Sequence, residues 1–202
     1  MNNKILLVIV GVIIGIAAIL FVVPAVQSGG MMFRGIGSEY GQRSGNNFID
    51  RHFIEQMIPH HDGAIAMAKL ALTKSSRSEI KTLAEDIIEA QTKENQEMKS
   101  WYKSWFNKDV SEDGLQIIGG MMSQGGMHMG GREDIGVLEN AADFDKEFIK
   151  QMIPHHQLAI MMAQMLKAGT NRSEMLSLAN NIIGSQSREI QDMQNWYKKW
   201  YQ

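Results

Sequence analysis

The residues able to do chemistry in this chain are concentrated in a nine-residue segment that occurs twice, FIEQMIPHH at Phe53–His61 and FIKQMIPHH at Phe148–His156. In the first copy Met57, His60, Ala64 and Met67 stand at i, i+3, i+7 and i+10, and His61 follows Met57 by four. On a helix that spacing lets both imidazoles and both thioethers border one face. The second copy repeats the set as Met152, His155, His156 and Met162. Neutral imidazole and thioether are borderline and soft donors, a combination suited to copper and to Cu(I) in particular. The chain holds 16 Met and no Cys, so a soft ligand here is a thioether. Disulfides, thiolate zinc sites, iron–sulfur clusters and thiol nucleophiles are excluded. Twenty Lys and Arg against 22 Asp and Glu leave a net charge of −2, which gives no electrostatic reason to follow nucleic acid. No Ser/His/Asp triad order, phosphate-cradling glycine loop or His-Glu-x-x-His zinc motif is present.

Two repeated helical hairpins are needed to position these groups. Sliding the chain by 95 residues aligns Asp50–Asn107 with Asp145–Gln202 without a gap, and about half the positions are identical. Each copy reaches a polar break, Ser75-Ser76 or Gly169-Thr170-Asn171, and then resumes. Ser76-x-x-Glu79 has the form of a capping box, and Asn171-x-x-Glu174 offers a good N-cap at the equivalent place. Pro59 and Pro154 predict a kink or a late start in the first helix of each copy. In the second helix, Leu83, Ile87, Gln91, Glu94, Met98, Trp101 and Trp105 fall on one stripe, as do Leu178, Ile182, Gln186, Glu189, Met193, Trp196 and Trp200. A Gln and a Glu thus interrupt an apolar seam, twice. Met98 and Met193 extend the ligand sets, while Glu94, Glu189, Gln91 and Gln186 are placed to orient imidazoles through their second nitrogen. An isolated hairpin buries too little, so the two pack as an all-α four-helix bundle, in which four His meet near one pseudo-twofold axis. The Trp101–Trp105 and Trp196–Trp200 groups read as bundle-end core, and His52, with Glu147 as its counterpart, as solvated.

The pattern Phe-Ile-x-x-Met-Ile-Pro-His-His-x-x-Ala-Ile-x-Met-Ala, followed by a helix with Gln-x-x-Glu-x-x-x-Met-x-x-Trp, resembles the ferritin-like family catalogued as domain of unknown function three hundred and five. The resemblance covers both copies. It implies an extracytoplasmic four-helix protein with relatives that bind copper and support copper tolerance. By matching positions it also implies the ligand candidates Met57, His60, His61, Met67 and Met98, with Met152, His155, His156, Met162 and Met193.

Ile5–Val23 is nineteen residues without a charge, long enough to span a bilayer and preceded by Lys4. Residues 1–27 are read as an uncleaved N-terminal transmembrane helix rather than a cleaved signal, holding the rest of the chain outside the inner or plasma membrane. Residues 28–46 form a flexible stalk, 47–107 the first hairpin, 108–142 a flexible Gly/Met-rich linker and 143–202 the second hairpin. Within the linker, Met127-His128-Met129 on a Gly-flanked strand is a separate soft-cation signal, with Met121 and Met122 nearby.

The expectation is a membrane-anchored copper protein that sequesters Cu(I) or hands it to a copper-accepting envelope protein, without being an enzyme. A mixed His/Met site is expected to lose affinity below about pH 6 as imidazole charges. The rival reading is a metal-free envelope scaffold in which the His pairs are structural, bonded to Glu94 or Glu189 and to carbonyls freed by proline. A copper or iron oxidase ranks third. Di-iron bundles need Glu-x-x-His on two helices, and no His here has Glu three residues before it.

Overall fold

The computed structural model describes residues 38–110 and 132–202, and among them all regular structure is helical. The described residues form five helices: α1 (Ser38–Lys74), α2 (Ser78–Phe106), α3 (Arg132–Glu139), α4 (Phe144–Gly169) and α5 (Ser173–Tyr201). α1 pairs with α2 and α4 with α5 as hairpins, and α1 lies against α4 to join them. Residues 1–27 and Met127-His128-Met129 lie outside the described residues, and so does the anchor expected there. Among the described residues no helix is long and apolar enough to cross a membrane.

Side chains of opposite ends of α1 and α4 meet, so these two helices run antiparallel. Phe53, Ile54, Met57 and Ile58 of α1 share a buried cluster with Ala159, Ala163 and Leu166 of α4. Ala64, Met67, Ala68 and Ala71 of α1 share the other with Phe148, Ile149 and Met152. The stripes of α2 and α5 complete both clusters, with Met98 and Tyr102 in the first and Ile80, Leu83, Ala84 and Ile87 in the second. Full burial of each such Met or Ile contributes about 1.5–3 kcal/mol, which is why the stripes dock and the polar faces do not.

Four local expectations are corrected. The first helix begins at Ser38, inside the segment read as stalk, rather than near 47. Pro59 and Pro154 are interior to α1 and α4, so neither marks a late helix start. The capping boxes do not form: α2 and α5 take Arg77 and Arg172 as N-caps, without a side-chain capping bond. Instead Ser75 Oγ accepts from Arg77 N–H and Thr170 Oγ1 from Arg172 N–H, both at 3.1 Å. These short side chains satisfy the turn locally and set the helix start two residues later. Finally, the linker's last part is α3, which docks on α1 and α4 through the fully buried Leu138.

The ends of the bundle are joined by matching clamps. Arg172, in the second hairpin, pairs with the buried Asp50 of the first at 3.1 Å and lies over the Trp105 ring at 4.0 Å. Arg77 pairs with Asp145 at 3.5 Å and lies over Trp200 at 4.0 Å. Beside the first clamp, the Ile49 side chain fills the space a Cβ on Gly169 would need, so α1 closes tightly on the end of α4.

Candidate metal centre

The four His of the repeated motif form one row across the α1/α4 contact. At its middle the His60 and His155 rings touch, centroids 3.7 Å apart and tilted by 41°. His61 lies beyond His60 at 6.5 Å and His156 beyond His155 at 6.3 Å. The outer rings are anchored: His61 Nε2 meets Glu94 Oε2 at 2.7 Å and His156 Nε2 meets Glu189 Oε2 at 2.6 Å. A carboxylate oxygen accepts, so each Nε2 donates and Nδ1 is the nitrogen left for another partner. Both of those Nδ1 atoms are buried and make no hydrogen bond to protein.

The inner rings are less satisfied still. His60 and His155 each bury both ring nitrogens without a hydrogen-bond partner, and the Gln91 and Gln186 side-chain carbonyls are likewise buried and unpaired. A buried polar group left without a partner costs about 1–3 kcal/mol, and native proteins hold few of them. Here such groups fall in matching positions of the two hairpins. Burial drives the pKa of His60 from 6.5 down to about 3, with the His61 and His156 rings adding to the shift. Burial likewise pushes His155 well below its ordinary value, with His60 the next cause. Both central rings are therefore neutral lone-pair donors through the physiological range. The low-dielectric interior opposes the charging of these two rings.

The thioethers are grouped differently from the per-repeat sets read from sequence. Met57 and Met98 share a cluster with Met162 of the other hairpin, which is only partly buried. Met152 and Met193 share theirs with Met67. Antiparallel packing of α1 against α4 makes this exchange, since residues a few turns past the His row point to the far end of the bundle. Each thioether set thus draws on both hairpins, with the His row between the two sets. Among the described residues no three His, Asp or Glu side chains converge to hold a cation by themselves. An ion at the row would need soft donors to complete its shell.

Three polar features escaped the sequence reading. The Asp50–Arg172–Trp105 and Asp145–Arg77–Trp200 clamps were marked only by identity at the 95-residue offset. Asn95, buried in α2 where α5 has Ile190, donates to Asp62 Oδ1 at 2.9 Å. Tyr102 donates to Glu55 Oε1 at 2.6 Å, where the second hairpin has Tyr197 and Lys150. His52 is exposed, as expected, and stacks on Phe48 with centroids 5.8 Å apart.

A helical bundle with a buried row of carboxylate-anchored imidazoles is the class of protein that this geometry defines. Residues 50–197 match the family described as Domain of unknown function (DUF305), and the chain belongs to that family. A solved structure described as CopM in the Cu(I)-bound form is 45% identical, with a TM-score of 0.65, covering 76% of this chain and 98% of that one. The same protein is also known in an apo form and in Cu(II)- and Ag-bound forms. A DUF305 fragment from Deinococcus radiodurans, 23% identical with a TM-score of 0.60 over 75% of this chain and 96% of that one, shares the fold. An uncharacterized protein of Acanthamoeba polyphaga mimivirus is 43% identical over 49 residues, which is 24% of this chain and 32% of that relative's length.

Proposed function

We propose that this protein binds copper, as Cu(I), through Met and His side chains in the bundle, and sequesters it or hands it to an acceptor protein in the cell envelope. The observation that carries the reading is the His60–His155 pair, whose ring nitrogens are buried at the bundle centre without hydrogen-bond partners. Unpaired neutral imidazoles flanked by thioether clusters are what a soft cation would satisfy. The likeness to CopM, with copper- and silver-bound forms, supports the same reading. Ile5–Val23 would anchor the chain in the inner or plasma membrane with the bundle outside the cytoplasm, where copper sequestration supports copper tolerance. The role proposed is binding and not catalysis.

The test is an anaerobic Cu(I) titration of the purified protein against a competing chelator, beside a variant with His60, His61, His155 and His156 changed to Ala. Tight binding that is lost in a folded variant supports the bundle site. Retained binding moves the site to Met127-His128-Met129 and the remaining Met, and absence of binding in both proteins refutes the proposal. A second reading, a metal-free scaffold, has one observation in its favour. Glu94 and Glu189 each already hold one ring nitrogen of an outer His.

A further inference from the structure

The candidate site is buried, so an ion needs a way in. A groove of about 570 Å³ runs between α2 and α5. Glu94 lines it while also holding His61 Nε2 at 2.7 Å; Glu189, its counterpart at His156, is not part of the lining. Asp86, Glu89 and Glu97 stand with Glu94 along the groove against Lys93 and Arg188, so carboxylates outnumber cations two to one. That excess attracts a cation without having to ligate it.

The α5 wall is built for space. Gly184 and Ser185 line the groove where α2 places Glu89 and Ala90. Gly184 sits inside α5 with no demand on its backbone, and a Cβ there would meet only the Arg188 guanidinium, at an ordinary 3.6 Å. A helix-interior glycine costs about 1 kcal/mol relative to Ala, so the local sequence gives up helix stability for room.

From these observations we infer that the α2/α5 groove is the route by which a soft metal cation reaches and leaves the imidazole row, with Glu94 as the residue that joins groove to row. The inference rests on the proposed copper binding and adds to it a path of exchange, on the Glu94 side of the row. A plug in the groove then slows loading and unloading by one factor and leaves the equilibrium affinity alone.

The experiment uses the full chain loaded with Cu(I) under anaerobic conditions. Release into excess bicinchoninate is followed by absorbance where the rate no longer depends on chelator concentration, and Kd is measured separately by competition. Gly184→Leu and Ser185→Trp are compared with Ser187→Leu, an exposed α5 position outside the groove. The expected result is release at least tenfold slower in both groove variants, Kd within twofold of the parent, and no change in Ser187→Leu. Unchanged release in the groove variants overturns the route while leaving copper binding intact. A Kd that weakens in step with the rate also overturns it, because the groove would then be shaping the site itself. A parent chain that takes up no copper refutes the proposed function instead, and the route with it.

Discussion

Mild acid should destabilise the metal-free protein well before its carboxylates titrate. The perturbation is a shift from pH 7.5 to pH 5. In the folded state His60 stays neutral down to about pH 3, while in the unfolded chain it titrates at its ordinary 6.5. The group's folded pKa is depressed, so its unfolded form binds more protons between these values, and stability is full above about pH 6.5 and falls as pH drops through the window. Each proton taken up only on unfolding changes stability by about 1.4 kcal/mol per pH unit. At pH 5, one and a half units below 6.5, His60 alone removes about 2 kcal/mol. His155 is shifted in the same direction by the same burial and deepens the loss. Against a typical total of about 5–15 kcal/mol this is a large fraction. The assay is urea denaturation followed by far-ultraviolet circular dichroism at pH 7.5, 6.5, 5.5 and 5.0, with chelator present. A His60→Phe/His155→Phe variant, which keeps ring contact and removes the titrating nitrogens, should lose the slope and be at least as stable at pH 7.5. Equal stability at pH 7.5 and pH 5 in the parent, or a slope that survives in the double variant, would refute the account of the central rings.

Arg172→Ala should destabilise the protein by about 2–3 kcal/mol, since it strands the Asp50 carboxylate, 0% exposed, and strips the cation from Trp105. Arg77→Ala should cost less, about 1–2 kcal/mol, because its pair with Asp145 is longer and Arg77 is 37% exposed. Urea midpoints of the two variants check that order. Met98→Leu, a near volume-conserving change at a fully buried site, should lower stability by less than about 1.5 kcal/mol. If Met98 is a ligand, Cu(I) affinity by chelator competition should fall at least tenfold in the same protein, whereas unchanged affinity would mark Met98 as packing. Glu94→Gln and Glu189→Gln should each weaken Cu(I) affinity by about tenfold, since each removes the charge that holds a ring's tautomer. A loss confined to one of them would mean that only one outer imidazole participates.

The sequence exposed whatever depends on local periodicity and on comparison of the two copies. The stripe that includes Gln91, Glu94 and Met98 foretold a polar interruption of the seam, and the 33-residue separation of His61 from Glu94 recurs between His156 and Glu189. What stayed hidden depends on how one hairpin meets the other. The direction of α1 against α4 decides whether Met67 joins Met57 or Met152, and no spacing within one helix carries that information. The clamps at Arg77 and Arg172 were hidden for the same reason, because each Arg meets its Asp across the hairpin boundary. The helix starts were missed on local grounds, as Ser75 and Thr170 compete successfully with the capping residues that follow them.

Copper binding and folding should be thermodynamically coupled at the His row. The two apolar clusters would pack at least as well around aliphatic side chains as around rings with unpaired nitrogens, so the central imidazoles lower the stability of the metal-free fold. An ion that ligates them removes that deficit only in the folded state, and free Cu(I) at a hundred times Kd should stabilise the protein by about 2.7 kcal/mol. The ion takes the central rings in the neutral form they already have, and the unfolded chain still takes up its protons, so saturation should raise stability at each pH without removing the acid limb described above. Cu(I) that binds tightly yet leaves the urea midpoint unmoved would be held elsewhere on the chain. The central His pair would then be a destabilising feature without a ligand, which the His60→Phe/His155→Phe variant should reveal as a net gain in stability at every pH.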